Sequence, residues 1–263
     1  MADTFMNRIN VYGETMKASR DLPVPPTEKW NATMLGGAFR PLAPASVHRT
    51  KISVKNQDCI DLALELKANG YNPVVLNLSD DYAAGGAVLM GSGAQEESLW
   101  RRTALCHTQT QRFYPLCCVG EPADLLYSPG VPVLREAESN GYRWKIAPYP
   151  TMDFIACPAL KYPKLSKEGG LKPEDRALLA ERLELILRVA AHKGHDVVVL
   201  GAMGCGAWRS PPRDVADLFA EILPRFDGYF KQIPVAILTT ADSRSGPSLA
   251  EIFTERLAGI LSI

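Results

Sequence analysis

The chain has 263 residues, of which 46% are hydrophobic and 22% charged, an ordinary globular composition with enough length to bury a large core. Its 29 basic and 29 acidic residues cancel, which excludes an overall field able to hold a nucleic-acid backbone or an anionic membrane surface; a polyanionic ligand has to be gripped locally. The six cysteines form no Cys-x-x-Cys pair or zinc-like His/Cys cluster, no window approaches the ~18 apolar residues of a membrane helix, and the polar N-terminus lacks a signal-peptide core, so an intracellular protein with free thiols is expected.

Residues 1–50 read as a helical or irregular lead-in, broken at Leu22-Pro23-Val24-Pro25-Pro26. A strand is expected at 51–54, an amphipathic helix at 58–69 closed by Gly70, and a buried strand at 73–78. The glycine-rich stretch 84–93 then leads into a helix over 95–105 that carries two glutamates near its N-terminus. Edge or hairpin strands are expected at 127–134 and 144–146, because proline is tolerated mainly at sheet edges, and a core strand at 152–157. A long helix follows at 172–192, then a strand at 196–200 and a second glycine-rich loop at 201–207. Ser210-Pro211-Pro212 reads as the N-cap and first turn of another helix, and a strand at 235–238 and a helix at 249–261 close the sequence. Alternating strands and helices with no internal repeat or linker predict one α/β domain, 1–263, with three α/β/α layers, a mixed central sheet and an N-terminal helical extension, 1–50.

Each glycine-rich loop follows an apolar strand, and ligands of open α/β sheets bind beyond the carboxyl ends of strands, so both loops are expected to line one crevice. The second loop can aim several N–H groups at phosphate oxygens. Neither loop fits a Walker or dinucleotide-binding pattern, and glycine content alone reads equally as tight turns. Glu96 and Glu97 complement the dipole of a first helical turn and need no further role on that account. Consecutive helical residues do not share a face, however, so the two glutamates are expected to point apart and to do different work. Glycosidases that use two carboxylates hold them about 5–10 Å apart across the scissile bond, which neighbours in one turn are not expected to reach, leaving one acid/base.

A double glycine, Gly85-Gly86 with Ala87 third, followed by Gln95-Glu96-Glu97, resembles the signature of poly(ADP-ribose) glycohydrolases, and the chain is most similar to their microbial type. Val75-Leu76-Asn77, the run from Tyr127 to Val133, Cys157-Pro158-Ala159 and the run from Leu200 to Ala207 resemble family blocks in family order. The resemblance implies a macrodomain-like core that binds ADP-ribose without metal or cofactor and cleaves the distal unit from poly(ADP-ribose) or from ADP-ribosylated proteins, reversing the modification, as in DNA-damage responses. It implies Glu97 as the catalytic acid and Glu96 as the residue that orients the distal ribose. Substrate contacts are implied at Asn77, Gly85, Gly86, Ala87 and Gln95, at Gly204, Cys205, Gly206, Ala207 and Trp208, and, for adenine, near Gln57 and Asp58.

Departures from the pattern are Ala83-Ala84 for Asn-Pro, Ala87 for the third glycine, and Met203 and Trp208 for the usual aromatics. Ala87 would be strained if its position requires positive φ, which favours a non-hydrolysing ADP-ribose reader as the rival reading. A phosphate-ester hydrolase ranks last for want of a nucleophile or metal set. The helix N-terminus favours ionised Glu97, whereas the first step needs its acid form. His48, His107, His192 and His195, the Cys205 thiol and the Arg101-Arg102 pair read as structural, the last as a solvated helix face. A monomer in the cytoplasm or nucleus is expected, with no membrane or sequence-specific nucleic-acid partner.

Overall fold

The computed structural model describes residues 2–36, 49–118, 120–238 and 246–261; His48 lies outside them. In chain order the elements are α1 (Ala2–Ala18), β1 (Glu28–Asn31), β2 (Lys51–Lys55), α2 (Cys59–Ala68), β3 (Pro73–Asn77), α3 (Gln95–Arg102), β4 (Asp124–Pro132), β5 (Thr151–Ala156), α4 (Pro173–His192), β6 (Val197–Val199), α5 (Pro212–Ile222), β7 (Gln232–Ala236) and α6 (Leu249–Leu257). Contacts divide the chain into two units, Met1–Trp30 with Asn77–Pro158 and Asn31–Leu76 with Ala159–Ile263.

The second unit holds strands in the order β3-β6-β7-β2, all paired parallel. Parallel neighbours need crossover connections, and the helices α2, α4 and α5 occupy them. The residues of β3 and β6 are buried throughout, as expected of strands covered on both faces. Asp58 caps α2 by accepting from the N–H groups of Ile60 and Asp61, and Ser248 and Glu251 close a capping box at the start of α6. Phe219 of α5 meets Phe253 of α6 edge-on at 5.6 Å between ring centroids.

In the first unit the order is β1-β4-β5, with β4 and β5 antiparallel and a bulge between Ser128 and Val131. Gly130 sits in that bulge at φ 61, and its N–H donates to Asp153 Oδ1 at 2.9 Å. Helix α1 packs on α3 and on the turn Val88–Met90. Arg8 of α1 donates to the Glu138 carboxylate at 2.8 and 3.0 Å and reaches the Gly91 carbonyl at 3.4 Å. Thr15 donates to the Arg101 carbonyl at 2.7 Å, while Arg135 donates to Thr15 at 2.9 Å and to Glu14 at 2.6 Å.

Several sequence expectations need correction. Arg101 and Arg102 are fully buried rather than solvated, because α3 is covered on more than one side. Arg101 donates to Tyr142 Oη at 2.8 Å and to the Ser92 carbonyl at 2.7 Å, and Arg102 to the Arg135 carbonyl at 3.4 Å. Helix α3 stops at Arg102 because Thr103 is extended, and a separate 3-10 turn covers Ala104–His107. The lead-in contains a regular helix and, after its prolines, the strand β1. The expected strand at 144–146 is a single bridge between Arg135 and Trp144. Pro211, not Ser210, is the N-cap of α5, and α6 ends at Leu257.

Replacing Arg101 with Met leaves the buried Tyr142 hydroxyl and the part-buried Ser92 carbonyl without this donor. At about 1–3 kcal/mol per unsatisfied buried group, a loss of roughly 2–4 kcal/mol is expected in the urea unfolding free energy.

Candidate active site

The loop between β3 and α3 makes two approaches that only glycine permits. Gly85 and Gly86 lie at φ 78 and 56. A Cβ on Gly85 would stand 2.6 Å from the Trp100 ring, and one on Gly86 would stand 2.7 Å from Glu97 Oε1 and 2.9 Å from Glu96 Oε2. The backbone at Gly86 therefore lies directly against two carboxylates. The expectation that Glu96 and Glu97 point apart is corrected: their backbones diverge around the helix, but their flexible side chains converge on one residue.

What separates the two glutamates is the set of partners. Glu96 Oε2 accepts from the Asp80 N–H at 2.7 Å, and Glu96 Oε1 lies 3.5 Å from Asn77 Nδ2. Glu97 Oε1 accepts from the Ala87 N–H at 3.0 Å, whereas its buried Oε2 has no partner. The Asn77 Oδ1 atom is likewise buried without a partner. Gln95 Oε1 accepts from the Leu78 N–H at 2.8 Å and so ties the first residue of α3 to the start of the loop that precedes it. Ala94, the N-cap, provides no side-chain cap, which leaves the start of α3 to these tertiary contacts.

Only 4% of Glu96 and 6% of Glu97 is exposed. Burial pushes the Glu96 carboxyl up to about 8; the Asp80 N–H opposes the shift, the charges of Glu97 and Asp80 add to it, and Asn77 opposes it. Near neutrality Glu96 thus holds a proton.

Ala87 takes φ −99 and ψ 31, so the strain anticipated for a missing third glycine does not arise. Its N–H is the group that Glu97 uses, and any residue other than proline supplies it. Among positions the sequence did not single out, Asp80 and Trp100 both bear on the site through contacts that no local pattern announces.

The second unit carries the other glycine-rich loop. Gly204 has φ 74, and a Cβ there would stand 2.6 Å from Ser210 Oγ. The loop is closed by Cys205 N–H to the Ala202 carbonyl at 3.1 Å, Arg209 N–H to the Gly206 carbonyl at 3.1 Å and Ser210 N–H to the Gly204 carbonyl at 2.9 Å. Gly206 and Ala207 are exposed, and the ammonium of Lys161 lies 5.4 Å from the Trp208 ring centroid. Burial pushes the Cys205 thiol up to about 12, so a nucleophilic thiolate is disfavoured. Asp58 belongs to the same unit, where its carboxylate caps α2.

His107 Nε2 lies 3.1 Å from the Met16 carbonyl and 2.9 Å from Ser19 Oγ, which joins its turn to α1. Among the described residues no three His, Cys, Asp or Glu side chains are grouped so that they could hold a metal ion. Nor is any described helix long and apolar enough to cross a membrane.

The family model described as microbial-type PARG, catalytic domain, matches residues 13–136, which include Asn77, the glycine loop and all of α3. The solved poly(ADP-ribose) glycohydrolase from Thermomonospora curvata is 27% identical with a TM-score of 0.73, covering 96% of this chain and 98% of its own. Over those residues the chain is similar to the microbial-type poly(ADP-ribose) glycohydrolase family, and over nearly its whole length to solved glycohydrolase structures. The Thermomonospora curvata enzyme bound to the inhibitor ADP-HPD aligns at 26% identity and TM-score 0.74, with the same coverage of both chains. The Deinococcus radiodurans poly(ADP-ribose) glycohydrolase in complex with ADP-ribose aligns at 25% identity and TM-score 0.74, covering 95% of this chain and 98% of its own. No curated protein matches the sequence. The α/β fold with a mixed set of strands is the fold of these glycohydrolase structures.

Two stability measurements check this geometry. A carboxyl whose pKa is higher folded than unfolded stabilises the fold fully below its ordinary value, here 4.5, and that contribution is lost as pH rises through about 8. Glu96→Gln should therefore become more stable relative to the parent protein between pH 5 and pH 8, by about 2 kcal/mol or more in urea titrations. Ala87→Gly should lower stability by about 0.5–1 kcal/mol through unfolded-chain entropy, whereas a strained alanine would give a gain.

Proposed function

We propose that the chain hydrolyses the glycosidic bond of the distal ADP-ribose of poly(ADP-ribose), releasing ADP-ribose, with Glu97 as its single acid/base. The observation that carries the assignment is the divided state of the Glu97 carboxylate. One oxygen is fixed by the Ala87 N–H, and the other has no protein partner, as a group that exchanges a proton with a substrate needs. Protonated Glu97 donates to the leaving oxygen, an oxocarbenium-like state forms at the anomeric carbon, and water attacks with Glu97 accepting its proton. Both glutamates touch the same backbone residue, which supports one acid/base rather than a pair across the bond.

Glu96 and Asn77 then hold the hydroxyls of the distal ribose, with Gly85, Gly86, Ala87 and Gln95 shaping the loop around them. Gly204, Cys205, Gly206 and Ala207 take the diphosphate on backbone N–H groups, Trp208 packs against the ligand, and Asp58 reaches adenine. The Asp58 role requires its carboxylate to serve the ligand while it caps α2. Complexes of the relatives with ADP-ribose and with ADP-HPD support this ligand class. The reading includes ADP-ribosylated proteins as partners, a monomer, and one functional domain over 1–263, since neither compact unit is a continuous stretch of chain. Six free thiols support a reducing compartment, cytoplasm or nucleus. The non-hydrolysing alternative rested on a strained Ala87, and φ −99 removes that support.

Glu97→Gln should lower ADP-ribose release from an automodified protein by about 10³-fold while leaving ADP-ribose affinity within about threefold. A variant that retains near-parental release would overturn the assignment.

A further inference from the structure

A chain of buried polar groups runs from the Glu96 carboxyl to the proline-rich segment ahead of β1. Asn77 Nδ2 lies 3.5 Å from Glu96 Oε1 and 3.4 Å from Gln109 Oε1. Gln109 Nε2 donates to Ser128 Oγ at 3.0 Å, Ser128 Oγ lies 2.7 Å from Thr27 Oγ1, Thr27 Oγ1 lies 2.7 Å from Thr108 Oγ1, and Thr108 donates to the Pro25 carbonyl at 2.9 Å. Asn77, Gln109 and Ser128 have no exposed surface.

The direction of every bond in this chain follows from its far end. The Pro25 carbonyl can only accept, so it takes the single hydroxyl proton of Thr108. Thr108 must then accept from Thr27, and Thr27 from Ser128. With its own proton committed, Ser128 can only accept from Gln109, which turns the Gln109 carbonyl toward Asn77. Asn77 must therefore present its NH₂ to Gln109 and to Glu96, leaving Oδ1 as the unpartnered atom.

We infer that Thr108, Thr27, Ser128 and Gln109 are positioning residues that lock the Asn77 amide with its N–H groups facing Glu96. The lock matters because the amide's other orientation would set its oxygen against Glu96, favouring the acid over the carboxylate. The other titratable groups that bear on Glu96 are Asp80, Glu97 and Tyr114, and the first two already favour its protonated form. The Asn77 N–H works against them and against burial, keeping Glu96 within reach of ionisation. The inference deepens the proposed role of Glu96 at the ribose and rests on that reading for its functional meaning.

The test uses the full chain with 13C-labelled glutamate, following the Glu96 carboxyl resonance through a pH titration and assigning it by its loss in Glu96→Gln. Thr27→Val removes one remote hydroxyl at nearly constant volume, frees the Ser128 proton to turn toward Gln109, and unlocks both amides. The Glu96 titration should then move upward by about half a pH unit, with Ser128→Ala behaving alike and Thr27→Ser returning the parental value. A purely structural role would lower the melting temperature without moving the titration. An unmoved Glu96 titration in both Thr27→Val and Ser128→Ala overturns the relay. The readout needs no turnover, so failure of the glycohydrolase reading shows separately, as absence of ADP-ribose release by the parent protein.

Discussion

The contact between the Gly86 backbone and the carboxylates of Glu96 and Glu97 is the constraint around which the first unit is arranged. A single carbon added at Gly86 would lie within 3 Å of an oxygen from each side chain, so the loop must be bare there, and its positive φ is available because it is bare. Gly85 continues the same logic against the Trp100 ring. Two acids in so small a space repel one another, and the structure answers by giving them unequal surroundings. Glu96 is held by Asn77 and the N–H of Asp80, whereas Glu97 keeps one oxygen uncommitted.

Holding that arrangement takes support from outside the loop. Helix α1 and the stretch around Tyr142 enclose Arg101, whose guanidinium binds the Ser92 carbonyl, while Arg8 reaches the Gly91 carbonyl. The loop that carries the glycines is thus gripped at its far end by two cations, Arg8 from α1 and Arg101 from α3. This is why the N-terminal helix, dispensable to any description of the strands, belongs to the architecture of the site.

Most of the second unit was legible because its strands are continuous apolar runs and its helices carry caps or an N-terminal proline, signals that are local in sequence. The glutamate pair was legible for the same reason. Arg101 and Arg102 were misread because a charged pair on a short helix looks solvated until the tertiary partners that bury it are known. The strain at Ala87 stayed conditional in the sequence because a glycine-rich signature does not reveal which of its members need positive φ; here Gly85 and Gly86 do and the third position does not. The links from Asn77 to Gln109, Ser128 and Thr27 join residues 19 to 101 positions apart, beyond any periodic signal.

The burial that raises the Cys205 thiol to about 12 has a consequence for redox behaviour. Peroxide and disulfide exchange act on thiolates, and at neutral pH such a group is a thiolate in only about one molecule in 10⁵. The loop from Gly204 to Trp208 can therefore keep a sulfur in its midst without becoming an oxidant sensor. The exposed Cys118 in the other unit offers oxidants a more accessible sulfur.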